Sequence, residues 1–347
     1  MNLILHPGHS KCGSTSIQKF LYDNRAILKE KGYAIPDRLF YFDFEKEADF
    51  STEHTALKYL LNISKNQSYK TLKKRIEESL KRAQNTNVHT YIISAENLST
   101  LPTNPLHKIF SQYFNMTNVV YYIRRQDDFT LSAWQQWGYK TGKNLEEYCA
   151  FQLRGGRPLY SQIITMLTTN YKKEIVVVVP FSRKVFLNGD LILDFLERTG
   201  LDFLAPTAIN FRVENKSLNP IVCDYLSRYP DIYRTKHDNR HKTSLEKHKK
   251  TKPWLFDSRK NYLSVKQREV ILAHFEPENR ILHETHFPNI DFDSIFGLEK
   301  NESLEQTKSL GKEQEEFLES WITNWSKKEK LRAFIRSVIG NRFVSPV

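Results

Sequence analysis

The alternation of short apolar strands with amphipathic helices is the feature that most constrains the fold of this chain. The strongest strand pattern is Glu174–Val179, a continuous β-branched run of the kind that is buried on both faces of a parallel sheet. Further strands are predicted at Asn2–His6, Thr90–Ser94 and Asn118–Ile123. Helical periodicity fills the intervals, with predicted helices at Ser14–Lys31, Tyr69–Ala83, Phe129–Tyr139, Leu159–Asn170 and Leu191–Arg198. Such alternation predicts an α/β fold with three layers, α/β/α, around a central parallel sheet, followed by a helical C-terminal portion.

The length and composition allow a large buried core and exclude several classes of protein. The 347 residues are 39% hydrophobic and 13% aromatic, which argues against a disordered chain. The mean hydropathy of −0.56 and the lack of a long apolar run predict no transmembrane helix. Three widely separated cysteines, Cys12, Cys149 and Cys223, exclude a disulfide framework or a cysteine zinc site and indicate a reducing compartment. Because the first residues lack a signal-peptide pattern, we expect a cytoplasmic protein.

The charge of the chain is strongly basic. It carries 52 lysines and arginines against 40 aspartates and glutamates, a formal net charge of +12. Such an excess favours polyanionic partners, including nucleotides, acidic glycans, nucleic acid or an anionic membrane surface. A solvated basic surface explains the charge equally well, so the charge alone does not select a function.

The most specific local pattern is the segment His6–Ser16, HPGHSKCGSTS, directly after the first strand. It contains Gly8 and Gly13 and opens a helix whose first turn is rich in hydroxyl groups. A strand–loop–helix connection of this kind presents unpaired backbone N–H groups and the positive end of a helix to an anion. The two glycines have the separation of the nucleoside triphosphate P-loop, G-x-x-x-x-G-K-[ST], but Ser14 replaces its lysine and Lys11 lies inside the loop. The segment therefore predicts a P-loop-like phosphate-binding loop that fits an ATPase poorly.

This loop and the residues after it, SKCGSTS followed by IQKFL, resemble the 5′-phosphosulfate loop of sulfotransferases that use 3′-phosphoadenosine 5′-phosphosulfate (PAPS), in particular their bacterial branch. The resemblance implies that Lys11 contacts the bridging oxygen of the phosphosulfate, that the helix start holds the 5′-phosphate, and that no metal is required. The PAPS-binding residues that it implies in this loop are Ser10, Lys11, Cys12, Gly13, Ser14, Thr15 and Ser16. The chain departs from the family pattern at Cys12 and Ser14, where small hydroxyl residues or threonine are usual.

A second motif of the family binds the 3′-phosphate with an arginine at the end of a strand and a serine eight residues later. Here Arg124 follows the strand NVVYYI, and Ser132 has the required spacing. A guanidinium group forms bidentate hydrogen bonds with phosphate, and a helix hydroxyl nearby adds another. The alternative is a surface pair, Arg124 and Arg125, neutralised by Asp127 and Asp128. Downstream of the first loop, the spacing favours the phosphate clamp.

Sulfuryl transfer also needs a base that takes the proton of the acceptor hydroxyl. His54 lies in the segment EHTAL, which resembles an N-H-x-x-L element of the bacterial branch, and a neutral imidazole is suited to proton abstraction. Glu96 is the rival candidate, because it follows a predicted strand at the edge where α/β folds bind ligands. The sequence leaves the choice between them open, whereas Lys11 is predicted to neutralise the leaving phosphate.

Two basic segments lie beyond the predicted sheet. Residues 233–260 are polar, basic and aperiodic, which predicts a long mobile loop. Glu313–Ile339 is predicted to form a helix with apolar, tryptophan-containing positions and a basic second half. Such a helix packs on its own protein or lies against an anionic membrane face. We therefore expect a sulfotransferase domain at residues 1–298 and a helical extension at residues 299–347.

The patterns together predict a sulfotransferase that transfers a sulfuryl group from PAPS to a hydroxyl of a carbohydrate or glycolipid, such as an acidic bacterial surface polysaccharide. No nucleic acid partner is expected, peripheral contact with the inner membrane is left open, and the oligomeric state is not predicted. Two alternatives remain. A nucleotide-dependent kinase is opposed by the displaced lysine, and a non-catalytic protein that binds polyanions or membranes leaves the phosphate loop unexplained.

Overall fold

The structure is a computed structural model of the chain. It describes residues 1–37, 39–50, 66–100, 104–209, 211, 217–256, 262–298 and 309–340, with backbone alone for residues 66–68 and 330–340. The described residues fall into two compact units, each built from separate stretches of chain. The first unit takes its residues from 1–125, 158–214 and 275–297, and the second from 126–157, 215–274 and 298–347. The division into a domain at residues 1–298 and an extension at residues 299–347 stays a prediction.

The first unit contains a five-stranded parallel sheet with the strand order β2-β3-β1-β4-β5. The strands are β1 Asn2–His6, β2 Tyr33–Ala34, β3 Thr90–Ser94, β4 Asn115–Ile123 and β5 Val176–Pro180. Four of them confirm the predicted strands, although β4 begins three residues before the predicted Asn118. The sequence pattern missed β2, because a strand of two residues is too short to show an alternation.

Helices make up most of the remaining described structure. In chain order they are α1 Ser14–Asp23, α2 Arg25–Glu30, α3 Asn66–Ala83, α4 Asn104–Tyr113, α5 Gln126–Ala133, α6 Leu145–Arg154, α7 Tyr160–Asn170, α8 Leu191–Thr199, α9 Ala205–Ala208, α10 Pro220–Ser227, α11 Arg240–Glu246, α12 Val265–His286, α13 Phe292–Phe296 and α14 Lys312–Gly340. The predicted helix Ser14–Lys31 is two helices. It breaks at Asn24, whose backbone and side-chain amides both donate to the Phe20 carbonyl. The sequence patterns did not predict the helices α4 and α6.

Both faces of the sheet are covered by helices. Because successive strand residues point to opposite faces, Leu3 and Leu5 lie in one hydrophobic core and Ile4 lies in the other. Residues of α3, α4 and α7 fill the first core, and residues of α1, α2 and α8 fill the second. The arrangement confirms the predicted three-layer α/β/α fold.

The basic segment in the second unit is folded, so the prediction of a long mobile loop is wrong for residues 233–256. The helix α11 lies within it, and His241 and Leu245 are buried. The ring of His241 is hydrogen-bonded to the hydroxyl of Tyr139. The pattern was misread because a helix of seven residues shows little periodicity and because one of its buried side chains is polar.

The C-terminal helix α14 confirms the helix predicted at Glu313–Ile339. Its Leu318, Trp321 and Trp325 are buried within the second unit, and its Glu329 accepts a hydrogen bond of 2.6 Å from Arg240. These tryptophans thus pack inside the protein, and membrane contact through this helix stays a prediction. Among the helices that the structure describes, none combines the length and the apolarity that crossing a bilayer requires.

The carboxyl group of Asp43 makes the stability of the first unit depend on pH. Both of its oxygens are buried, and burial raises its pKa from 3.8 to about 7, against the opposing effects of Lys29 and of nearby backbone N–H groups. Because the folded state prefers the protonated form, the stabilisation is complete below pH 3.8 and is lost as the pH rises through 7.

Asp43→Asn removes this charge and is therefore expected to stabilise the protein only at higher pH. The free energy of unfolding should rise at about pH 8 by on the order of 2 kcal/mol, less than the full linkage energy because burying the polar amide also costs free energy. At about pH 4 it should change little, because the carboxyl group is then already neutral. Urea denaturation of both proteins at the two pH values measures this difference, and an equal gain at both would contradict it.

Candidate anion-binding site

The loop between β1 and α1 is held against the carboxyl end of β3. The N–H of Gly8 donates to the Ala95 carbonyl at 3.2 Å, and the Ser99 hydroxyl donates to the Gly8 carbonyl at 3.1 Å. A β-carbon on Gly8 would lie only 2.9 Å from the β-carbon of Ser14, so the close approach of the loop to α1 requires glycine. The loop therefore has a fixed path across the sheet edge.

The loop turns through two residues with left-handed backbone conformation. The N–H of Cys12 donates to the His9 carbonyl at 3.2 Å, and Lys11 within this turn has a φ of 68°. Gly13, the N-cap of α1, has a φ of 74°, and a β-carbon there would lie 2.2 Å from a methyl carbon of Leu191. Left-handed residues spaced along a loop are typical of backbone concavities that bind anions.

The start of α1 offers backbone donors to such an anion. Among the described residues, the N–H groups of Gly13, Ser14 and Thr15 have no hydrogen-bond acceptor. The positive end of the helix dipole lies at the same point. The hydroxyl-bearing Thr15 and Ser16 are half-buried in the first turn, and Ser10 is half-buried in the preceding loop. The predicted phosphate-binding loop thus has the backbone geometry that the sequence indicated.

Glu96 lies beside this loop. It begins a short 3-10 helix after β3, and its carboxylate accepts a hydrogen bond from the hydroxyl of Ser14, which is 2% exposed. The two residues are 82 positions apart in the chain. The structure therefore brings one of the two candidate bases to the first residue of α1. The other candidate, His54, lies outside the described residues.

Arg124 reaches the loop from the neighbouring strand. It follows β4, and its Nη1 donates to the Lys11 carbonyl at 3.0 Å, while its guanidinium lies 5.7 Å from the ring centre of Phe181. The connections after β1 and β4 lead to opposite sides of the sheet, so the carboxyl ends of these two strands flank a topological switch point. Ligands of open α/β sheets bind at such points.

Lys11 and Arg124 supply the cationic charge at the loop, because its two histidines are neutral. Burial lowers the pKa of His6 to about 3 and that of His9 to about 4, so neither imidazole is charged near neutral pH. Burial also raises the pKa of the Cys12 thiol to about 12. A protonated, buried thiol is a poor nucleophile, so Cys12 contributes packing and its backbone to the loop.

Ser132, the second residue of the predicted 3′-phosphate clamp, lies half-buried in α5 of the second unit, and its part in phosphate binding stays a prediction. The sequence reading missed Tyr160 and Phe181, which contact Arg124 in the first unit. No local sequence pattern marks either residue as functional. Tyr160 begins an ordinary helix, and Phe181 comes just after the valine-rich strand β5. In the part of the chain that the structure describes, no group of three or more histidine, cysteine or acidic residues could hold a metal ion.

Comparisons with known proteins found no relative of this chain. No family model, no curated protein and no solved structure matches the chain. The resemblance to sulfotransferases therefore rests on the motif residues themselves.

Proposed function

We propose that this protein is a PAPS-dependent sulfotransferase. The observation that carries the proposal is the meeting of Lys11, Arg124 and Glu96 around one phosphate-type loop, with two cations and a carboxylate at the same switch point. A phosphate donor needs the cations, and a hydroxyl acceptor needs a base. A loop that only terminates a strand needs neither.

The donor would lie on the loop with its 5′-phosphate on the backbone N–H groups of Gly13, Ser14 and Thr15. The hydroxyls of Thr15 and Ser16 are placed to donate further hydrogen bonds, since both belong to the same helical turn. Arg124 would bind the 3′-phosphate, as the family motif implies. Lys11 would neutralise the bridging oxygen as the S–O bond breaks, so the residues of the loop supply the charge that a metal ion supplies in kinases.

Glu96 is the base that the geometry favours. In the transfer step, the acceptor oxygen bonds to sulfur, the bond from sulfur to the bridging oxygen breaks, and the bisphosphate product leaves with the negative charge. The acceptor proton passes to the carboxylate of Glu96. The hydroxyl of Ser14 donates to one oxygen of this carboxylate and so orients the group beside the loop. His54 stays the alternative base.

The kinase alternative requires a lysine at the first helical residue, which would reach the β- and γ-phosphates. That position is Ser14, whose hydroxyl is buried and bonded to Glu96.

The proposed acceptor is a carbohydrate or glycolipid hydroxyl, and the net charge of +12 favours an acidic one. The proposal places the enzyme in the cytoplasm, consistent with its three free cysteines, Cys12, Cys149 and Cys223.

Titration calorimetry with 3′-phosphoadenosine 5′-phosphate (PAP) and with ATP–Mg²⁺ tests the proposal. We expect micromolar binding of PAP and much weaker binding of ATP. Arg124→Ala should weaken PAP binding roughly ten- to one hundredfold, because it removes charge-assisted hydrogen bonds. Lys19→Ala, on an exposed ion pair with Asp23, is the matched control and should bind PAP normally.

The other outcomes of the titration separate the alternatives. Tight binding of ATP–Mg²⁺ without a preference for the 3′-phosphate would refute the sulfotransferase and favour the kinase. If neither nucleotide binds, the non-catalytic protein becomes the better explanation.

A further inference from the structure

Tyr160 makes an unusual pair of contacts at the end of β4. It is the first residue of α7 and is fully buried. Its hydroxyl accepts a hydrogen bond from the backbone N–H of Arg124 at 3.0 Å and donates one to the Arg124 carbonyl at 2.7 Å. One phenol thus satisfies both backbone polar groups of a single residue.

These contacts continue the sheet where the strand pairing ends. The pairing of β4 with β5 ends at Ile123, whose carbonyl accepts the N–H of Phe181 at 2.6 Å. Arg124 is the next residue, and its backbone would otherwise leave the sheet without a ladder partner. A buried backbone group that lacks a partner costs free energy. The hydroxyl of Tyr160 supplies the hydrogen bonds that a neighbouring strand would otherwise make with Arg124.

Tyr160 is itself held firmly. The backbone N–H of Ser161, in the first turn of α7, donates to the carboxylate of Glu278 at 2.9 Å. The ring of His9 lies edge-on to the Tyr160 ring, with the centroids 5.1 Å apart. The phenol is therefore fixed both by a cap on its own helix and by a residue of the phosphate-type loop.

We propose that Tyr160 is a positioning residue that sets the guanidinium of Arg124 for the 3′-phosphate of the nucleotide. The inference rests on the proposed function. The contacts run from the Tyr160 hydroxyl through the backbone of Arg124 to its Nη1, which donates to the Lys11 carbonyl at 3.0 Å. An arginine whose backbone is already fixed loses less conformational freedom when its side chain binds a phosphate, so the binding is tighter. Tyr160 therefore contributes to the selectivity for nucleotides with a 3′-phosphate.

The test is Tyr160→Phe, which keeps the ring against His9 and removes both hydrogen bonds to Arg124. Affinities for PAP and for adenosine 5′-monophosphate (AMP) are measured by calorimetry, and their ratio reports the contribution of the 3′-phosphate. We expect the affinity for PAP to fall about tenfold and that for AMP to stay within about twofold. The KM for PAPS should rise while kcat changes little, because the group acts through Arg124 in binding.

Tyr171→Phe is the matched control. Tyr171 is also buried in the first unit, and its hydroxyl is hydrogen-bonded to Nδ1 of His107 at 2.8 Å. This variant loses a comparable buried hydroxyl away from Arg124, so its ratio of PAP to AMP affinity should equal that of the wild type. If both phenylalanine variants lower the ratio equally, the effect reflects general destabilisation and the inference is overturned.

Two further outcomes keep the inference and the proposed function apart. If the wild-type protein does not prefer PAP over AMP, the proposed function fails and takes the inference with it. If the wild type prefers PAP and Tyr160→Phe keeps the full preference, only the inference fails.

Should Tyr160→Phe not fold, Glu278→Gln weakens the α7 cap and leaves the phenol in place. A smaller loss of the preference for PAP is then expected, and an unchanged preference would overturn the inference.

Discussion

Lys11→Ala is expected to lower the rate of sulfuryl transfer roughly one hundred- to ten thousandfold, the range found when a group that stabilises developing charge is removed. The reason is the role proposed for Lys11, which would neutralise the bridging oxygen as the leaving phosphate gains charge. The backbone of the loop should survive the change, because the contact from Arg124 goes to the Lys11 carbonyl and not to its side chain. Alanine also retains the β-carbon at the φ of 68°. The rate should therefore fall much more than the affinity for PAP.

The release of PAP from PAPS, with a bacterial polysaccharide extract as acceptor, measures this effect. Lys19→Ala is the control, because Lys19 lies on α1 and forms an ion pair with Asp23 of the same helix. It should turn over at the wild-type rate. A Lys11→Ala protein that binds PAP and keeps its turnover would remove Lys11 from the mechanism.

The second large effect concerns stability. In the second unit, Arg268 is fully buried and forms ion pairs with Asp127, which is also fully buried, and with Asp128 at 3.2 Å. Arg268→Ala leaves the fully buried carboxylate of Asp127 without its cation. Removing one partner of a buried ion pair typically costs about 3–5 kcal/mol in the free energy of unfolding, and we expect a loss of that size.

Urea denaturation at neutral pH measures this loss. Arg280→Ala is the matched control, because its ion pair with Glu276, at 2.6 Å, is largely exposed to solvent. Exposed pairs contribute at most about 1 kcal/mol, so this variant should unfold almost like the wild type. The double variant Arg268→Ala/Asp127→Asn should recover part of the loss by removing the stranded charge. Equal destabilisation by both single arginine variants would contradict a special role for the buried pair.

The buried ion pair also shows what a local sequence pattern can and cannot predict. Asp127 and Asp128 follow the arginine pair after a single residue, Gln126, and the sequence offered them as its neutralising partners. In the structure they hold Arg268, which is 141 residues from Asp127. Charge patterns specify which groups need a partner, but the partner is chosen by packing between distant parts of the chain.

The same limit applies to the elements of the fold. The sheet could be predicted because each long strand is a buried apolar run that shows its own pattern. The sequence patterns did not predict the two-residue β2, the helices α4 and α6, or the folded segment at residues 233–256. They are short, or they bury polar side chains such as His241, and contacts from other elements stabilise them.

The sequence alone predicted the loop between β1 and α1 and the position of Arg124 after its strand. The glycine spacing, the strand end and the hydroxyl-rich helix start all lie within a few residues of one another, so a local sequence pattern is enough to show them. Only the tertiary structure decided that Glu96 meets Ser14 and that Tyr160 holds the backbone of Arg124. Such partners lie 82 and 36 residues apart, and they meet because parallel strands bring their carboxyl ends to one edge of the sheet.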